Sequence, residues 1–342
     1  YNSFMNRIES VSVEAPARLH MGFLDPSASL NRKYGSIGLA INEIATRVTA
    51  RHSHLLQVMG PQAERVRQVA QKFLTALRIH EGALLEINSA IPEHVGLGSG
   101  TQMALAVGFA LSKLFGLGLC VREVACLTGR GRRSGIGIGT FEFGGLIVDG
   151  GRAEGTESPP IICRIHVPDL WRFILVFDQR GQGLNGAREI EAFQRLQSFP
   201  EAKAARICHL LLMKGLPALA ERKIEGFGQV VTEIQQSVGD YFAPAQGGRF
   251  MSQDVERAIT WFGARGAVAL GQSSWGPTGF CAVENETRAR DLVDQIRRLD
   301  RTIPELSFRI VSPQNAGEDS RFVNQRPNVL EQPAFDLNST CN

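Results

Sequence analysis

The chain has no CxxC pair among its six cysteines, which excludes a zinc ribbon and a dense disulfide framework. Cys120, Cys126, Cys163, Cys208, Cys281 and Cys341 are scattered and read as reduced thiols of a cytoplasmic protein. No apolar run reaches the roughly 18 residues that a membrane helix requires. Residues 1–7 lack the apolar core of a signal peptide, and position 1 is Tyr rather than an initiator Met. Charge of one sign is also missing: 37 Lys and Arg stand against 34 Asp and Glu, net +3, so no global field points to nucleic acid. Internal repeats and low-complexity tracts are absent too.

What is there suits an ordinary globular enzyme. The 342 residues are 43% hydrophobic and 21% charged, and the length predicts two domains of roughly 150 residues each. Alternating or β-branched runs predict strands at 8–15, 35–41, 46–50, 55–58, 84–89, 144–151, 171–177, 267–270 and 280–283. Apolar spacing predicts helices at 64–77, 103–115, 121–127, 187–198, 201–213, 219–238, 252–264 and 287–299. Strands and helices are mixed without regular βαβ alternation, which predicts an α+β architecture. The polar, proline-rich stretch 153–160 marks the boundary between a first domain at 1–163 and a second at 164–315. Residues 316–342 are polar and read as an irregular tail.

The most informative segment is Ile91-Pro92-Glu93-His94-Val95-Gly96-Leu97-Gly98-Ser99-Gly100-Thr101-Gln102. Glycines at alternate positions let backbone N–H groups face one concavity. An apolar helix follows, and its first turn and dipole favour an anion. Ser99 and Thr101 add hydroxyls for phosphate or for phosphate-bound Mg²⁺. No Lys-Ser/Thr follows the glycines, so this is not a Walker A loop, and it is not GxGxxG. An ordinary helix start stands as the other reading.

PEHVGLGSGT resembles the PxxxGLGSS motif of the GHMP kinases. Two further segments agree in order: Ala15-Pro16-Ala17-Arg18-Leu19-His20-Met21-Gly22, and Gly271-Gln272-Ser273-Ser274-Trp275-Gly276-Pro277-Thr278-Gly279. The resemblance spans about residues 11–285. It implies a two-domain fold, with an N-terminal domain like ribosomal protein S5 domain 2 and a C-terminal ferredoxin-like sandwich. It also implies a homodimer.

The chain departs from the kinases in a consistent way. It has APARLH in place of APGK, Gly100 in place of the second serine, and a basic stretch from Arg130 to Glu142 in which Glu142 is the only acid. EAPARLHMGFLD, GLGSGTQ, RSGIGIGTFEFGGLIVDGG and WGPTGF together resemble the β-ribofuranosylaminobenzene 5′-phosphate synthases of tetrahydromethanopterin biosynthesis. That likeness implies condensation of phosphoribosyl pyrophosphate with 4-aminobenzoate or 4-hydroxybenzoate, releasing CO₂ and pyrophosphate with Mg²⁺ as cofactor. No membrane or nucleic-acid partner is implied.

Under this reading, phosphate falls to Gly96, Gly98, Ser99, Gly100, Thr101 and Gln102, and to Arg130, Arg132, Arg133, Ser134 and Gly135. Arginines suit bidentate phosphate contacts. Arg18, His20 and Glu142 are the catalytic candidates: Arg18 for the benzoate carboxylate, His20 for the ring substituent or a phosphate. Glu142 can be a base, a metal ligand or a partner for an arginine, and the residues alone do not choose. Asp25, Gln272, Ser273, Ser274 and Trp275 are substrate-binding candidates, each with a plain turn, loop or packing role as its alternative. Asp149 divides in the same way. His94 and His166 read as structural, and His52 with His54 lack the cysteines that would strengthen a metal site. An ATP-dependent kinase using Glu142 as base, and a non-catalytic binding module, are the competing functions.

Overall fold

The computed structural model describes residues 8–180, 196–299 and 305–324. The chain enters through a long antiparallel pair, β1 (Ile8–Asp25) and β2 (Arg32–Ser53). Three separate strands were expected between 35 and 59, yet β2 runs unbroken through the first two. The expected break is a bulge in which Glu43 takes a φ of 66°. Only β3 (Gln57–Met59) is separate.

α1 (Ala63–Ala76), β4 (Gly82–Ser89), α2 (Ser99–Leu114) and α3 (Val121–Leu127) follow as the periodicity predicts. The glycine-rich stretch after Ser134 is instead a helix, α4 (Ile136–Phe143). Its glycines serve packing. A Cβ on Gly137 would sit 2.7 Å from Thr101 Cγ2, and one on Gly139 would sit 2.8 Å from Ile147 Cγ2. Short strands β5 (Leu146–Asp149), β6 (Arg152–Ala153) and β7 (Ile161–Ile165) extend the first sheet. β7 pairs with β5, so the first sheet runs to Ile165, just past the expected boundary at 163.

The second sheet is β11–β8–β10–β9, all antiparallel, built from β8 (Arg172–Asp178), β9 (Val268–Gln272), β10 (Gly279–Val283) and β11 (Leu306–Val311). Numbered along the chain this is a 4-1-3-2 order, the ferredoxin-like sandwich that was expected. Its helices are α5 (Glu201–Leu210), α6 (Leu216–Ala220), α7 (Ile224–Gln246), α8 (Gln253–Gly263) and α9 (Glu286–Leu299). The helix expected at 187–198 falls largely outside the described residues.

The irregular tail requires correction. Residues 319–324 form β12 (Asp319–Asn324), antiparallel to β1 in the first sheet. A six-residue polar strand shows little hydrophobic pattern, because backbone pairing to an existing edge is what holds it.

One apolar cluster lies between the two sheets and joins them: Leu19, Met21 and Phe23 of β1 meet Phe173 of β8, Phe227 and Ile234 of α7, and Trp275. Each such buried side chain contributes about 1.5–3 kcal/mol. A second cluster under α1–α4 and a third under α8 and α9 complete the core.

Candidate active site

Three segments distant in sequence meet at one point. Arg18 donates its backbone N–H to the Leu97 carbonyl at 3.1 Å and its Nη1 to the Gly96 carbonyl at 2.5 Å. Ser273 Oγ donates to the same Gly96 carbonyl at 2.8 Å and accepts the His20 backbone N–H at 3.0 Å. Ser274 N–H returns to the His20 carbonyl at 3.3 Å. Gly96, at φ 85°, has no room for a side chain, since a Cβ would lie 2.1 Å from the Ser273 carbonyl oxygen. β1 is bulged on both sides of Arg18–His20, a device that re-aims side chains.

From this point the start of α2 forms a cationic cradle. Its N-cap, Gly98, is left-handed at φ 85° and supplies no side-chain cap, and while Thr101 and Gln102 donate to the Gly98 carbonyl, the N–H groups of Ser99 and Gly100 remain available. Arg18 lies along Gly98, its Nε 3.1 Å from where a Cβ would be. At Gly100 the same construction places Arg65 Nη2 at 2.7 Å and Arg130 Nη1 at 3.4 Å. Arg65 pairs with Glu93. Arg130 is partly buried and its Nε has no hydrogen-bond partner. Burial, and then repulsion from Arg65, lower the affinity of Arg130 for its proton. Two guanidiniums held together at a helix N-terminus form a site for an anion. Ser99 is buried in the first turn, and the Thr101 side chain sits against Gly137.

Other residues expected in this cradle have different work. Gln102 is fully buried and its Nε2 donates to the Gly137 carbonyl at 2.9 Å, tying α2 to α4. Ser134 and Gly135 turn to Asp149, whose Oδ2 accepts from Gly135 N at 2.8 Å, from Ser134 Oγ at 3.3 Å and from Ser36 Oγ at 2.5 Å. Asp149 therefore anchors the start of α4, and no backbone N–H of Gly135 is left for phosphate. Burial raises the Asp149 pKa, against these hydrogen bonds. Arg132 is exposed, with Cys126 of α3 in its field. Arg133 is half-buried. Of the three arginines, Arg130 is the one nearest Gly100.

On the other side of Ser273 lies a narrow crevice of about 30 Å³ between β1 and α7. His20, Phe23, Phe242 and Trp275 form aromatic walls, and Gln235, Gln246 and Gln272 supply amides. His20 is buried and its Nε2 has no hydrogen-bond partner. Burial, with Arg18 adding to it, lowers its pKa to about 3, so the ring is neutral. Trp275 is a fixed wall, its ring centroid 4.4 Å from that of Phe242. Arg65, Phe23, Gln235, Phe242 and Gln246 were not foreseen. The pair Gln235-Gln236 within an otherwise apolar helical face was a signal; Phe242 fell beyond the expected helix end at 238.

Two candidates lie elsewhere. Asp25 accepts from Ser27 N at 3.0 Å and from Ser29 N and Oγ at 2.7 and 2.6 Å, so it is a turn residue and both its oxygens are taken. Glu142 sits at the C-terminal end of α4, with Arg122 as its charged neighbour and Gly317 against its carbonyl. Burial raises its pKa. It makes no hydrogen bond or ion pair with Arg18, His20 or the glycine-rich loop.

The arrangement sets an anion site at the start of α2 beside a narrow aromatic-walled crevice, with Ser273 and Gly96 between them. Comparison with known proteins shows the family. Residues 64–145 match the GHMP kinases N terminal domain and residues 216–301 match the GHMP kinases C terminal model. A β-ribofuranosylphenol 5′-phosphate synthase from Archaeoglobus fulgidus is 34% identical over 285 residues, covering 80% of this chain and 88% of that protein. Another of that name, from Methanocaldococcus jannaschii, is 35% identical over 253 residues, covering 65% and 76%. Among solved structures, a homoserine kinase from Cytophaga hutchinsonii shares the fold with a TM-score of 0.65 at 16% identity, covering 94% of this chain and 99% of that one.

Proposed function

The chain belongs to the GHMP kinase family and, within it, to the β-ribofuranosylphenol 5′-phosphate synthases, and we propose that it joins phosphoribosyl pyrophosphate to a 4-substituted benzoate. The observation that carries this reading is the pairing of an uncapped, arginine-flanked helix start with a neutral aromatic crevice, the two bridged by Ser273.

The pyrophosphate of the donor lies on the first turn of α2, against Arg65 and Arg130. As the bond from ribose C1 to the pyrophosphate oxygen breaks, its electron pair leaves with the pyrophosphate, and fixed N–H groups and guanidiniums stabilise that charge. A single such donor is worth about 10²–10³ in rate. The ring carbon bearing the carboxylate attacks C1. The carboxylate then departs as CO₂, and the electron pair of its bond restores the aromatic ring. Protons balance without a base, so the remoteness of Glu142 is no obstacle. Arg18, between the loop and the crevice, holds the benzoate carboxylate until it leaves. His20, neutral and with Nε2 unpartnered, faces the ring.

Mg²⁺ fits this site in one way. Among the described residues no three His, Cys, Asp or Glu side chains group as a metal site. Mg²⁺ commonly keeps its waters and binds substrate phosphates with few protein ligands, so the hydroxyls of Ser99 and Thr101 are the protein oxygens that would accompany it. It would supply further neutralisation of pyrophosphate charge.

We further propose that the reaction runs in the cytoplasm, as a step toward a tetrahydromethanopterin-type carrier, in a homodimer; light scattering tests the last. No helix among the described residues is long and apolar enough to cross a membrane. The deciding assay supplies Mg²⁺, phosphoribosyl pyrophosphate and carboxyl-labelled benzoates, and measures pyrophosphate and labelled CO₂. Equal amounts of both without ATP support the synthase. ADP release from ATP with small alcohols, and no pyrophosphate, would return the chain to the kinases.

A further inference from the structure

Three glutamine side chains line the crevice, and two have their hydrogen bonds filled. Gln272 accepts the Met251 N–H on Oε1 at 2.7 Å, and its Nε2 donates to the Ser274 carbonyl at 3.1 Å and to Gln246 Oε1 at 3.4 Å. Gln246 then donates its own Nε2 to the Arg249 carbonyl at 2.9 Å. Gln235 differs. Its Oε1 accepts the Gln272 backbone N–H at 2.8 Å, which fixes which end of the amide is oxygen. Its side chain is pressed onto Gly271, where a Cβ would lie 2.4 Å from Gln235 Cγ, so the amide cannot turn over freely.

Its Nε2 consequently faces Gly22, 4.0 Å from where a Cβ would be, on the crevice side, and has no partner among the described residues. The crevice thus presents a donor of fixed sense in Gln235 beside the unpartnered nitrogen of His20.

Position along β1 says which end of the ligand this donor meets. Arg18, beside the cradle, is followed by His20 and then Gly22, at roughly 7 Å for each two-residue step. An arene whose carboxylate-bearing carbon attacks at the cradle must send its 4-substituent the opposite way, toward Gly22 and Gln235.

Resting on the synthase reading, we propose that Gln235 is a specificity-determining residue that reads the 4-substituent through a fixed amide donor and so favours an oxygen acceptor. A phenolic oxygen accepts such a hydrogen bond. An aniline nitrogen, whose lone pair is drawn into the ring, accepts poorly and presents two N–H groups toward another N–H. The wild-type enzyme should therefore turn over 4-hydroxybenzoate with kcat/KM about tenfold above 4-aminobenzoate, the worth of one neutral hydrogen bond.

The test measures pyrophosphate release with both acids for the wild type, Gln235→Glu and Gln235→Leu. Glutamate keeps one oxygen for the Gln272 N–H and turns an acceptor toward the substituent. In Q235E the hydroxy-to-amino ratio should drop at least about tenfold, and in Q235L it should approach one, while KM for phosphoribosyl pyrophosphate holds. A ratio unchanged in both variants, or a wild type that prefers the amino acid, overturns the proposal. Equal losses with both acids and a raised donor KM also overturn it, because they make Gln235 a support for the Gln272 loop. If these variants fail to fold, Gln235→Asn, which keeps the amide but draws its donor back, should narrow the hydroxy-to-amino ratio, and an unchanged ratio there overturns the proposal. A wild type that releases pyrophosphate with neither acid sinks the synthase reading itself, a result distinct from all of these.

Discussion

Ser273 Oγ donates to the Gly96 carbonyl at 2.8 Å and so closes a span of 177 residues with one hydrogen bond. The same hydroxyl accepts from His20. Since Gly96 belongs to the cradle and His20 to the crevice, the bond fixes the distance between those two regions, and under the proposed function that distance governs how readily ring carbon meets C1.

Ser273→Ala should therefore act on both stability and rate. The buried His20 N–H loses its acceptor, a cost of about 1–3 kcal/mol. Thermal unfolding should drop by several degrees. With the two halves of the site less fixed, kcat should fall more than either KM rises. An unaltered kcat would make the bridge purely structural.

Arg130→Met should lower kcat/KM for phosphoribosyl pyrophosphate by about 10²-fold or more, in line with the loss of one fixed donor to a leaving group. The KM of the benzoate should hardly change. Stability should stay level or rise, because Arg65 loses a repulsive neighbour. Steady-state assays with each substrate varied in turn, beside chemical denaturation, check all three.

Gly100→Ser recreates the serine of the kinase motif. Its side chain would enter the space held by Arg65 Nη2, 2.7 Å from the Cβ position, and displace a flexible guanidinium more than the backbone. Donor KM should rise about tenfold, with no ADP-forming activity gained. Acquisition of ATP turnover would show that this glycine alone separates the two chemistries.

His20 makes stability depend on acid. Its pKa stands at about 3 in the folded protein against an ordinary 6.5. Below that ordinary value the unfolded chain takes up a proton that folded His20 refuses. Stability present at neutral pH is then lost at about 1.4 kcal/mol per pH unit as acid is added. His20→Asn should remove this contribution, so the difference between wild type and variant should shrink from pH 7.5 to pH 5. Urea titrations at the two pH values read it directly.

Much of the fold was legible because it rests on pattern. The apolar α2 and the amphipathic α1 follow from spacing alone, and of the three motifs that meet at Ser273 two were visible as glycine-rich segments and the third, Ala15–Gly22, by its family resemblance. α4 was not legible, since glycine lowers helix propensity and only the approach of Thr101 and Ile147 makes those glycines an asset. The site was read through its loops. Arg18, His20, Gly96, Gly98, Gly100, Arg130 and Ser273 all reach the convergence point, whereas Ser134, Gly135 and Gln102 look like phosphate ligands but hold α4 in place. Arg65 escaped because the polar positions of its helix read as solvent-facing, and Gln235, though it interrupts an apolar face, gave no sign of what it would meet. Only tertiary placement turns them inward.

The pairing of β12 with β1 also orders events in time. The outer edge of β1 waits, unpaired, until residues 319–324 have left the ribosome. During synthesis the first domain therefore carries an open strand edge while the entire ferredoxin-like unit is made. A truncation before Asp319 would leave that edge permanently bare. Such a protein would be prone to join its neighbours edge to edge, however well its catalytic residues were preserved.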